Sequence, residues 1–177
     1  MLIEIHSKPL IALDANVFLG VLIPHVMKMG ADNIAGAERA LKALDKGDFI
    51  GLTSVMAFAE IRWAFARHKA EGFEIARYRL ERALKGRLLI VEVTTDLAVL
   101  AAELRAKYYS KRNDISYNDG LYLATALQCG ADLLLSSDPH LLNVSEMPVL
   151  EPKEFPVERG RVINWVEEVK RTWLNSR

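Results

Sequence analysis

The sequence predicts an α/β domain built on a mainly parallel sheet with helices on both faces. Apolar runs of strand type alternate with stretches of helical periodicity along most of the 177 residues. Two runs, Leu10 to Leu13 and Ala131 to Leu135, carry little or no polar interruption, as strands buried on both faces do. The first leads directly into Asp14 and the second, after Ser136-Ser137, into Asp138, and the carboxyl edge of an open parallel sheet is where ligands bind.

Composition narrows the class further. Apolar side chains make up 51% of the chain, enough for one core, which excludes disordered and collagen-like chains. Lys plus Arg number 23 against 23 Asp plus Glu, so nucleic acid can be held only by local clustering of charge. The single cysteine, Cys129, permits no disulfide framework and reads as a small core residue of a cytoplasmic protein. His6, His25, His68 and His140 lie far apart and form no zinc motif. The apolar stretch from Val17 to Pro24 is too short to span a bilayer, so no membrane partner is expected.

Taken in order, Met1 to Ile5 reads as a short edge strand and Leu10 to Leu13 as a buried one. Asn16 suits the N-cap of a helix from Val17 to Ile23, which Pro24 stops. Ile34 to Lys46 has helical composition and ends at Gly47. Phe49 to Leu52 is the next strand, and Thr53 or Ser54 caps a helix from about Val55 to Ala70. On that helix Glu60 falls at the rim of a wide apolar arc, half inside. Its bland reading is a rim carboxylate paired with a nearby Arg.

Gly72 opens a further helix, Phe73 to Leu84. Between Arg62 and Arg87 stand eight basic residues against three acidic ones, a local excess of five. A solvated helical face explains many such runs, but here it is the sizeable basic cluster of the chain, so Arg67, Arg77 and Arg79 are candidate phosphate contacts. Leu88 to Val93 is another strand, followed by a helix from Thr95 or Asp96 to about Tyr109. Asp119, Tyr122, Leu123 and Ala126 then share one helix face, which aims the Asp119 carboxylate toward the core with no Lys or Arg between Tyr117 and Asp138 to balance it. Structural readings stand beside this: Ser116 and Asp119 fit a capping box, and Ser137-Asp138-Pro139 fits an N-cap followed by proline. A last helix near Val162 to Leu174 carries an apolar stripe of Val162, Trp165, Val166, Val169 and Trp173, which packs on its own domain or serves an interface. The expected organisation is a domain over residues 1–150 and an extension, 151–177, with that one amphipathic helix.

In this architecture Asp14, Glu60, Asp119 and Asp138 can converge at one edge of the sheet. Packed carboxylates repel, and protons or divalent cations must relieve them. Hard oxygen ligands without His or Cys select Mg²⁺ or Mn²⁺, a chemistry suited to phosphodiester hydrolysis.

Four segments in this order resemble the PIN-domain family: Leu10 to Asn16, Ala59-Glu60-Ile61, Asp119 to Ala126, and Leu134 to Asp138. The resemblance spans about Ile11 to Leu150. It implies a three-layer α/β/α sandwich, Mg²⁺- or Mn²⁺-dependent cleavage of RNA and, in VapC-type toxins, an antitoxin protein as partner and a homodimer. Asp14, Glu60, Asp119 and Asp138 match the family's acidic metal-site positions, and Asn16 and Ser136 match polar positions that support them. The chain departs from the family in having Ala15 where Ser or Thr commonly follows the first Asp. Alternatives are an RNA-processing nuclease without antitoxin and a non-catalytic interaction module of the same fold. A haloacid-dehalogenase-type phosphatase calls for a second Asp at position 16, and Asn16 is a poor general acid.

Overall fold

The computed structural model describes residues 8–110, 113–158 and 160–177. Among the described residues five strands form one sheet: β1 (Leu10–Leu13), β2 (Ile50–Ser54), β3 (Leu88–Val91), β4 (Leu133–Leu135) and β5 (Val149–Leu150). Their order is β3-β2-β1-β4-β5 and every pairing is parallel. The fifth strand is therefore Val149–Leu150, which the sequence does not announce because two residues carry no periodicity. The Met1 to Ile5 strand expected from the sequence lies outside the described residues.

Helices α1 (Ala15–Leu22), α2 (Ala31–Lys46), α3 (Met56–Arg67), α4 (Phe73–Tyr78) and α7 (Val162–Asn175) share a core with Ile11, Leu13, Leu133 and Leu135 on one face of the sheet. Helices α5 (Thr95–Tyr108) and α6 (Tyr117–Gln128) bury Ala12, Leu52 and Leu134 on the other. Side chains of β1 and β4 alternate between the two cores, which is why both strands read as continuous apolar runs. The result is the α/β/α sandwich.

Several local details differ from the sequence reading. Helix α1 begins at Ala15, with Asp14 rather than Asn16 at its N-cap. The cap of α5 is Thr94, whose Oγ1 accepts from Leu97 N at 3.2 Å, displacing Thr95 and Asp96 into the first turn. The helix expected from Phe73 to Leu84 ends as α at Tyr78 and continues as a wider π-helical stretch, Arg79–Ala83. Cys129, expected in the core, is exposed at the end of α6.

Residues 151–177 pack on the first core. A Cβ added at Gly36 in α2 would lie 1.9 Å from the Pro152 carbonyl oxygen, so only glycine lets the 152–154 turn approach this closely. Arg39 clamps the turn by donating to the carbonyls of Lys153 at 3.2 Å and Phe155 at 3.1 Å. Phe155 then lies between Phe49 and Trp165, with ring centroids 5.9 and 5.2 Å away. The apolar stripe of α7 faces inward: Val162 and Val166 are buried, and Trp165 and Val169 pack against the same cluster.

Candidate metal centre

Each carboxylate reaches the carboxyl edge of the sheet from a different element. Asp14 follows β1 and continues the sheet ladder, its N–H donating to the Leu135 carbonyl at 3.1 Å. Asp138 follows β4, Glu60 stands in the second turn of α3, and Asp119 lies in the first turn of α6. The two helices approach from opposite faces of the sheet, so all three layers contribute.

Asp14 is 3% exposed and held by two donors. Ser136 Oγ donates to its Oδ2 at 2.6 Å and Asn16 Nδ2 to the same oxygen at 2.7 Å. Asn16 is thus turned inward instead of capping α1, because a buried carboxylate without donors is far costlier than an uncapped helix end. Its other amide atom, Oδ1, accepts from Ser137 N at 3.2 Å, and Ser136 Oγ accepts from Asp138 N at 3.0 Å. Asn16 and Ser136 therefore tie the first Asp to the loop carrying the last. Below them Thr53 Oγ1 donates to the Leu13 carbonyl at 2.8 Å, fixing the ends of β1 and β2 together.

The capping role of Asp119 is compatible with its place at the same edge of the sheet as the other three acids. Ser116 and Asp119 form a capping box, with Asp119 Oδ2 accepting from Ser116 N at 2.7 Å. Asp138 Oδ1 accepts from His140 N at 2.7 Å, an Asx-type turn rather than a helix cap. One oxygen of each Asp is pinned, which orients the other. Among the described residues Glu60 Oε1 is buried without a hydrogen-bond partner, so the rim ion pair expected for it is not formed there.

The electrostatics link the four. Burial pushes Asp14 up to about 7, against the Ser136 hydrogen bond and with repulsion from Glu60 and Asp119 added. Burial likewise raises Glu60 to about 7; the Tyr122 and Asn118 side chains oppose the rise, and Asp119 and Asp138 add to it. Asp119 is raised by burial, with its Ser116 bonds opposing and Asp138 contributing. Among the described residues no three His, Cys, Asp or Glu side chains are already gathered around one point as ligands. The pinned oxygens turn toward their own donors, and the carboxyl groups remain electrical neighbours.

Sequence reasoning placed Tyr122 only on an apolar face. It seals the floor of the site with Ala15 and Ala57, where α1, α3 and α6 meet, and its buried hydroxyl lacks a partner at hydrogen-bond geometry although it lies close enough to influence Glu60. Asn118 was missed as well; its place next to Asp119 in the first turn of α6 was the available signal. Ala15 fits this floor, since the tight apolar contact with Ala57 and Tyr122 leaves it fully buried.

The donor set fits a hard divalent cation. It consists of carboxylate oxygens, one of them an orphaned buried atom, in a pocket whose repulsion a cation would relieve. The basic candidates are more dispersed. Arg67 is exposed in the last turn of α3. Arg77, Arg82 and Lys85 line a groove of about 720 Å³ with Val55, Phe58 and Ala59. Arg79 lines a different groove with Phe18, Leu22 and Leu41, because residues two apart on a helix leave on opposite sides.

Comparison with solved structures returns the same architecture. VapBC2 from Rickettsia felis, bound to a DNA fragment from its promoter, matches with a TM-score of 0.57 at 19% identity, covering 80% of this chain and 97% of that one. FitAcB from Neisseria gonorrhoeae matches at 0.53 and 21%, covering 80% and 97%. Mycobacterium tuberculosis VapC20 matches at 0.54 and 18%, covering 74% and 92%. No curated protein matches in sequence. The family profile described as PIN domain matches residues 11–147, from within β1 to just before β5 and across all four carboxylates, and the chain belongs to the PIN-domain family.

Proposed function

We propose that this chain is a divalent-metal-dependent endoribonuclease whose Asp14, Glu60, Asp119 and Asp138 hold Mg²⁺ or Mn²⁺. The observation that carries the reading is the buried, unpartnered Glu60 Oε1 among mutually repelling carboxylates from different elements. A bound ion would make water a better nucleophile and offset charge on the phosphodiester in the transition state. The chain's own part is positional. Ser136 and Asn16 hold Asp14, Ser116 holds Asp119, and the His140 N–H holds Asp138, so three ligands are oriented before any substrate arrives. Arg82 and Lys85, with Arg77 paired to Glu81 at 3.1 Å, line the groove that reaches Ala59 beside Glu60 and outnumber its Glu81 and Glu92, leaving positive charge for the backbone.

The toxin role belongs to the same proposal. VapC20 is described as a sarcin–ricin loop cleaving toxin, and a neighbour from Klebsiella pneumoniae is a toxin–antitoxin complex. An antitoxin partner and a homodimer are therefore proposed here too. A mainly apolar groove of about 560 Å³, lined by Phe18, Val21, Leu22, Leu41, Leu80 and Leu84, supports a protein partner.

The test is calorimetric titration of Mn²⁺ into the wild-type chain and Asp14→Asn, beside cleavage of single-stranded RNA. Binding and cleavage in the wild type, both lost in Asp14→Asn, are expected. A wild-type chain that takes up no Mn²⁺ overturns the proposal and leaves an inert interaction module.

A further inference from the structure

Three of the four acids have one oxygen fixed: Asp14 by Ser136 and Asn16, Asp119 by the Ser116 N–H and Asp138 by the His140 N–H. Glu60 is the exception. It stands in the second turn of α3, where backbone N–H groups are already engaged within the helix, and its side chain has one more rotatable bond than Asp. Only a side-chain donor can hold it.

Such a donor stands on α6. Ala57 and Glu60 are three apart and share a face of α3, and Asn118 and Tyr122 are four apart and share a face of α6. Tyr122 is 2% exposed and packs on Ala15 and Ala57, so its ring runs across the α3 face that carries Glu60. Among the described residues the Tyr122 hydroxyl is buried with no hydrogen-bond partner, and so is Glu60 Oε1. Burial raises Glu60, and the side chains acting against that rise are Tyr122 first and then Asn118. A donor without an acceptor thus neighbours an acceptor without a donor. Packing alone does not account for the hydroxyl, because phenylalanine would fill the same space on Ala15 and Ala57 without leaving a buried polar atom unpaired.

We propose that Tyr122, assisted by Asn118, is a positioning residue whose hydroxyl donates to the Glu60 carboxyl and leaves that group's other oxygen for the cation. This rests on the metal-dependent reading above. The fourth acid is then held from the layer opposite its own, since α6 and α3 lie on different faces of the sheet.

The experiment is calorimetric titration of Mn²⁺ into the full chain, wild type and variants, beside thermal melting without metal. Tyr122→Phe keeps the ring on Ala15 and Ala57 and removes only the hydroxyl. It should melt cooperatively near the wild-type temperature and bind Mn²⁺ roughly 10-fold more weakly. Asn118→Ala, at a half-buried position, should show a smaller loss in the same direction. In a Glu60→Ala background, itself weakened in affinity, Tyr122→Phe should bring no further loss, because the hydroxyl acts through that carboxylate. Wild-type Mn²⁺ affinity in Tyr122→Phe, whatever its melting temperature, overturns the positioning role and leaves the metal reading intact, as do losses that simply add in the double variant. A wild-type chain that takes up no Mn²⁺ overturns both.

Discussion

Asp14 and Glu60 are acids that the fold holds at about 7, far above their ordinary values of 3.8 and 4.5. The folded chain therefore binds protons more tightly than the unfolded chain across that interval. Stability from these groups is fully present below the unfolded values and is lost as pH rises through about 7, the reverse of an ion-paired carboxylate. For Asp14 the loss by pH 8 is on the order of 4 kcal/mol. In EDTA the melting temperature should thus fall between pH 5 and pH 8, and Asp14→Asn should flatten the fall; a profile identical in the two proteins would sink this account. Asp119 allows its two roles to be separated. Asp119→Asn keeps an oxygen for the Ser116 N–H and should retain stability while losing metal-dependent cleavage. Asp119→Ala loses the capping box as well and should cost about 1 kcal/mol more, measured by urea denaturation. The placement of the four acids at one edge of the sheet was legible in the sequence because each stands where an apolar pattern ends or turns inward. Tyr122 was not, since an aromatic residue at core spacing hides its hydroxyl, and the inward turn of Asn16 was hidden by its suitability as a cap.

At the scale of elements, strands β1 to β4 and the helices were legible because buried parallel strands are apolar throughout and helices repeat their apolar residues. Strand β5 escaped because it is two residues long, and the switch from α4 to π geometry escaped because composition does not change across Tyr78. On the ribonuclease reading proposed above, the basic residues of this stretch divide between two grooves. Arg77 faces the groove beside α3 with Arg82 and Lys85, whereas Arg79 faces the groove of Phe18 and Leu41. A run of positive charge in sequence is therefore divided in space. If the first groove carries the backbone, Arg77→Gln should lower the salt slope of single-stranded RNA binding by about 0.7, and Arg79→Gln should leave it nearly unchanged. Equal effects of the two substitutions, measured by RNA affinity at two salt concentrations, would show that neither groove is distinguished.

For the whole molecule, the open question is where the folding unit ends. Composition suggests a boundary near Leu150, where prolines appear and the PIN-like motifs are complete, and the family match itself stops at 147. Packing argues otherwise. Phe155, Val162 and Val166 are buried in the same cluster as Ile11, Leu13 and Phe49, and Lys170 in α7 reaches Asp132 Oδ1 at 2.9 Å, whose other oxygen accepts from Leu10 N at 2.9 Å. Sequence could not reveal this, because a short turn whose docking depends on Gly36 and Arg39 of a distant helix leaves no local pattern. Fully burying a Phe or Val contributes roughly 1.5–3 kcal/mol, so these three side chains together bring on the order of 5–9 kcal/mol. A domain of this kind has only about 5–15 kcal/mol in total. A chain ending at Leu150 should therefore fail to fold cooperatively, or melt far below the full chain, even though every carboxylate is retained. Circular dichroism on heating decides it: a truncated chain that melts sharply at the temperature of the full one would make residues 151–177 an appendage rather than part of the core.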